Sequence, residues 1–120
     1  MTTIRFDEIP EFQRDFKKLN KRYHTLPDDF GRLCLALCVS AIPTDKHTAV
    51  LVNQDVFLVI KIRMACKTLR KRSLRVVYSY FEQEQRIEFI ELYFKGEKEN
   101  EDRERIKEYL KNQNPTHRPI

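Results

Sequence analysis

The chain has 120 residues, 41% hydrophobic and 34% charged, which suits one domain with a single core and leaves little room for a second. Lys and Arg number 23 against 18 Asp and Glu, a net charge of +5, and with only two glycines, Gly31 and Gly96, a glycine-rich phosphate loop is excluded. The three cysteines form no CxxC pair and leave one over if two were joined, which points to a reducing compartment.

Ile4 and Phe6 form a short apolar opening, read as a first strand. Pro10 to Tyr23 then places Phe12, Phe16, Leu19 and Tyr23 at helical spacing, opposite Arg14, Asp15, Lys17 and Lys18. Thr25 to Asp29 is a turn feeding a second helix, since Pro27 suits its first positions and Asp28 and Asp29 its positive end. The second helix presents Phe30, Leu33, Leu37 and Ala41 to the core and stops at Pro43. From Ala49 the period becomes two, with Ala49 to Val52 as an additional strand.

Val56 to Met64 has every even position apolar and charge at Lys61 and Arg63, so Val56, Leu58, Ile60, Ile62 and Met64 are expected to face the core. Leu74 to Phe81 alternates likewise, with Arg75, Val77, Ser79 and Phe81 facing away. In Ile87 to Lys95 the residues Ile90, Leu92 and Phe94 point inward and Glu91, Tyr93 and Lys95 outward, unless a bulge flips an assignment. Asn100, Glu101 and Asp102 open a last helix with Ile106, Tyr109 and Leu110 as its stripe and Pro115 beyond its end. The expected fold is α+β, an antiparallel sheet of about four strands with two N-terminal helices packed on one face and a C-terminal helix, the helices segregating to one face. One domain spans residues 1–114, followed by a tail at 115–120. The longest apolar run, Leu33 to Val39, is far short of the ~20 residues that cross a bilayer, and the first residues lack a signal-peptide pattern, so a cytoplasmic protein is expected.

The charge is unevenly distributed. Val56 to Phe81 contains Lys61, Arg63, Lys67, Arg70, Lys71, Arg72 and Arg75 and no acid, so +7 sits in that stretch and −2 on the remainder. Strand parity puts Lys61, Arg63, Arg75, Tyr93 and Lys95 on the sheet face opposite the helices, with Lys67, Arg70, Lys71 and Arg72 at its rim as nucleic-acid contacts. Tyr93, Phe57 and Phe81 are candidate stacking faces. Cleaving RNA without a metal needs a base for the 2′-hydroxyl, cations for the charge that grows at phosphorus, and an acid for the leaving 5′-oxygen. A lysine among other cations sheds its proton more readily, which makes Lys61 or Lys95 a candidate base, whereas the arginines serve as charge stabilisers. His24, His47 and His117 have no metal-ligand spacing, and Cys34 and Cys38 read as core filling, so neither a metal nor another cofactor is expected.

Val59 to Arg63, the basic linker, Leu74 to Tyr78, the acidic hairpin and Glu91 to Lys98 together resemble the RelE/ParE toxin superfamily, close to its HigB-like RelE branch, over residues 56–110. The resemblance implies a type II toxin that enters the ribosomal A site, meets mRNA and small-subunit RNA there, cleaves the mRNA, and is restrained by a cognate antitoxin. Lys61, Arg63, Arg75 and Lys95 match the family's basic residues. Where the type member has an arginine after that lysine and a tyrosine a few residues on, this chain has Gly96 and Asp102, so Lys98 and Tyr93 are the candidate substitutes. These departures keep two alternatives open: a ParE-like gyrase poison, or a relative that binds nucleic acid or antitoxin without catalysis.

Overall fold

The computed structural model describes residues 3–70 and 72–113. Its elements are β1 (Arg5–Glu8), α1 (Pro10–Asn20), α2 (Leu26–Val39), β2 (Ala49–Asn53), β3 (Leu58–Ala65), a 3-10 turn (Lys67–Leu69), β4 (Ser73–Phe81), β5 (Arg86–Phe94) and α3 (Arg103–Gln113). The order of elements agrees with the sequence reading, including the additional strand. Pro115 and the tail at 115–120 lie outside the described residues.

The sheet is mixed, ordered β1-β5-β4-β3-β2, because β1 pairs parallel with β5 while the other neighbours are antiparallel. A parallel neighbour needs a long crossover, and here most of the chain lies between the two strands. The helices α1 and α2 pack on one face over the even positions of β3 and β4, with Ile60, Ile62, Met64, Leu74, Val76 and Tyr78 buried beneath them. Phe89 is the aromatic hub, its ring 5.3 Å from Phe12 and 4.8 Å from Phe30 between centroids. Val56, expected inward, is 64% exposed because β3 begins two residues later, at Leu58.

The helices do not segregate to one face. α3 crosses the opposite face and builds a second core from Ile106 and Tyr109 against Val59, Val77, Phe81 and Ile90. Phe57 and Phe81, offered above as stacking faces, are buried in it and pack against each other at 5.0 Å. The register explains Ile90: Val77 opposes Glu91 but Tyr78 opposes Phe89, so Ile90 is an extra residue in a β-bulge and turns toward α3.

Two polar clusters hold this frame. Asp102 caps α3 by accepting the Arg105 amide at 3.0 Å. Past the end of β1, Asp15 of α1 accepts the Leu92 amide at 3.1 Å, while Arg105 of α3 donates to the Ile90 carbonyl at 2.9 Å and to Asp15 at 2.6 Å. Helices from opposite faces are thereby joined around the edge of β5. At the other end, Asp29 in the first turn of α2 is buried and accepts the Thr25 hydroxyl at 2.8 Å, Arg32 at 3.0 Å and the Lys67 amide at 3.1 Å. This cluster anchors the turn that leads into the basic linker.

Candidate nucleic-acid interface

The face that carries α3 is divided. Under the helix and its entrance lie the carboxylates. Glu91 is fully buried, accepting the Lys98 ammonium and the Asp102 amide, the latter at 2.8 Å. Lys61 donates to Glu101 at 2.8 Å, with Glu101 only 7% exposed. Burial opposes the charge of Glu101, but the hydrogen bond and charge of Lys61 outweigh it and hold the carboxyl below its ordinary range. Tyr93 is buried there too. Burial, then the charges of Glu101 and Glu91, push its phenol up to about 12, Arg75 pulling the other way, and the Lys98 ammonium lies 5.3 Å from its ring centroid. As placed, Lys61 and Lys98 belong to the α3 seam, and Tyr93 offers little face to a base.

Beyond α3 the same strands carry two cations, Arg63 and Arg75. Arg63 on β3 stands directly opposite Arg75 on β4, which in turn opposes Tyr93 on β5. Like charges on facing residues of an antiparallel pair, with Cβ atoms ~5 Å apart, repel and destabilise the sheet. Among the described residues neither arginine makes an ion pair, and Arg75 donates to the Ser73 hydroxyl at 2.8 Å. Arg63, Arg72, Ser73, Arg75 and Lys95 line an open cleft of about 430 Å³. Arg63 also lines a second cleft of about 300 Å³ with Arg32 and Lys67, so the two meet at that residue. The sequence reading missed Arg32, since α2 showed only as an apolar stripe.

The linker residues are less uniform than their sequence suggests. Arg72 is exposed and its guanidinium lies 5.7 Å from the Phe94 ring centroid, placing it beside the cleft. Arg70 is exposed, with a left-handed φ of 58° that a non-glycine residue adopts at some cost. Lys71 lies outside the described residues. Gly96 has its own reason to be glycine: a Cβ there would lie 2.5 Å from the Phe94 ring at the wall of the cleft. Among the described residues no three His, Cys, Asp or Glu side chains are grouped as a metal site. Another depression of about 240 Å³, lined by Asp55, Glu82 and neighbouring amides, carries no cation.

No family model matches the chain, and no curated protein matches it significantly. Solved structures do match. An archaeal RelE in complex with RelB, from Pyrococcus horikoshii OT3, superposes with a TM-score of 0.57 at 19% identity, over 79% of this chain and 98% of that one. The fold is RelE-like. A mutant of the E. coli toxin RelE in its free state agrees, with a TM-score of 0.57 at 14% identity over 92% of this chain and 98% of that RelE. At such identities the likeness establishes the RelE-like α+β fold, and no particular branch of these toxins. No helix among the described residues is long and apolar enough to cross a membrane.

Proposed function

We propose that the chain is the toxin of a type II toxin–antitoxin pair, a ribosome-dependent endoribonuclease that cleaves mRNA in the A site without a metal. The observation that carries this reading is the Arg63–Arg75 pair, two facing cations that make no ion pair among the described residues, in an open cleft on a RelE-like sheet. A phosphodiester supplies the missing negative charge, and its repulsion-relieving contact strengthens as phosphorus gains charge in the transition state. Lys95 at the rim exchanges protons with the reacting oxygens. Lys61 reaches them only after leaving Glu101. Lys67, Arg70, Lys71, Arg72 and the newly recognised Arg32 steer the protein onto RNA.

The partner is an antitoxin whose acidic or amphipathic segment covers the cations and folds as it binds. The archaeal RelE was solved in complex with RelB. A purified chain added to translating ribosomes, with EDTA-treated and ribosome-free controls, tests the reading by mapping 5′ ends on a defined mRNA. Cuts within codons that vanish in Arg75→Ala are expected; intact mRNA at a concentration that arrests growth would sink the proposal. A gyrase poison remains the second reading, favoured by Gly96 and Asp102, which serve a ring contact and a helix cap. It predicts DNA cleavage complexes with translation unaffected.

A further inference from the structure

The outer side of α2 is apolar where solvent favours charge. From Leu33 to Thr44 the chain has no charged residue, although 34% of the whole chain is charged. Leu33 and Leu37 of that stretch serve the core, but Leu35 and Val39 point the other way and are 70% and 90% exposed. Cys38, read from the sequence as core filling, is exposed beside them, and Ile42 extends the row past the helix end. Val50 of β2, paired with Ile60 and so directed to the same side of the sheet, is 52% exposed. A single exposed leucine is ordinary, whereas a row at helical spacing with no charge to solvate it marks a contact surface. Gly31, two turns before Cys38 on the same flank, points the same way. A Cβ there would meet nothing within 4 Å, so the fold of one copy gives no reason for a residue that weakens a helix.

We propose that this surface is the interface of a symmetric dimer, two copies packing their α2 helices antiparallel about a two-fold axis level with Leu37, with Leu35 of one copy against Val39 of the other. Two observations select a second copy as the occupant. The first is charge. At +5, two copies repel over most of their surface, and the uncharged stretch is where they meet without that cost. An acidic segment of another protein would find no cation between Arg32 and Lys46, and Arg32 is itself paired with Asp29 at 3.0 Å.

The second is area. Leu35, Val39, Ile42 and Val50 expose on the order of 400 Å² of apolar side chain in each copy. Doubled and with its rim, this reaches about 1,000 Å², the lower limit for a specific pair, so the dimer is weak and reversible. An isologous contact closes at two copies and uses neither margin of the sheet. Arg63 and Arg75 lie on the face opposite α2, so their cleft stays open in both copies, whether or not the chain cuts RNA.

Sedimentation of the intact chain from about 1 to about 200 µM should show a monomer–dimer equilibrium with a Kd of about 10–100 µM. Leu35→Glu and Val39→Lys, both at exposed positions, should each raise the Kd more than about tenfold, with the circular dichroism and melting of the dilute protein unchanged. Combined in one chain they should restore the dimer, because antiparallel packing sets each new carboxylate against the ammonium of the other copy. The two-fold also brings the two Cys38 thiols to one flank near the axis, so a short bismaleimide should couple them at high concentration, and Cys38→Ser should remove the product. Sedimentation as a monomer throughout overturns the proposal and leaves the face to a different chain. A dimer that neither single substitution weakens overturns its placement on α2.

Discussion

Lys61 and Arg63 are two residues apart on the same strand and the same face, yet they belong to different surfaces. Lys61 lies at the α3 entrance, where Glu101 neutralises it, and its neighbours Glu91 and Lys98 form a second pair. Arg63 lies past the reach of the helix, opposite Arg75, and makes no ion pair among the described residues. The first arrangement is complete within the chain, so its charges are spent on holding α3. In the second, repulsion is left uncompensated, and that is the physical mark of a place where an anion from outside improves the fold as it binds. The net charge of a segment does not distinguish the two; the availability of internal counter-charge does.

The contrast breaks most visibly at Arg75. Arg75→Ala should reduce mRNA cleavage about 10²–10³-fold, equivalent to about 2.7–4 kcal/mol of lost transition-state stabilisation, while urea unfolding shows unchanged or slightly higher stability. Lost activity that tracks lost folded protein would erase the distinction between the surfaces. On the covered side, Glu91→Leu removes the buried acceptor of the Lys98 ammonium and the Asp102 amide. It should cost about 3 kcal/mol of unfolding free energy, read from the shift in urea midpoint. The salt dependence of RNA binding sharpens the comparison further. Arg75→Ala should lower the slope of log affinity against log salt by about 0.7, the value for one single-strand phosphate contact, whereas Lys61→Met should leave the slope unchanged.

The smallest effect concerns acid. Burial works against the charge on Asp29, but hydrogen bonds from Thr25, Cys66, Arg32 and the Lys67 amide outweigh it and hold its pKa below the ordinary value. A carboxyl depressed in the folded state contributes stability above its unfolded pKa, near 4, and loses it as pH falls through the folded one. Asp29→Asn should therefore flatten the loss of stability below about pH 4, a difference thermal melts across pH 5 to 3 would register.

Much of the frame is legible in the chain itself, because alternation in β3 and β4 and the stripes of α1 and α2 report burial locally. Ile90 is where parity fails: an extra residue in a ladder leaves no mark on one strand, since it exists only in the pairing of two. The side taken by α3 is also a long-range fact. Ile106 and Tyr109 say that one side of the helix is buried, but not against which face. The signal that could have placed it was the run of apolar odd positions, Phe57, Val59, Val77 and Phe81, which a solvated sheet face would not carry. For the site, Arg63 and Arg75 follow from parity alone, whereas the engagement of Lys61 depends on Glu101, forty positions along the chain.

The Asp15–Arg105 bridge bears on self-association. β5 continues past the end of β1, and its uncovered amide at Leu92 and carbonyl at Ile90 would otherwise offer a template to a strand from another molecule. Two side chains occupy these groups, while at the opposite margin of the sheet the register slip around Leu51 interrupts the edge of β2. A protein whose proposed task requires it to remain free until it meets a ribosome thus has both sheet margins guarded against growing into a fibre of its own copies.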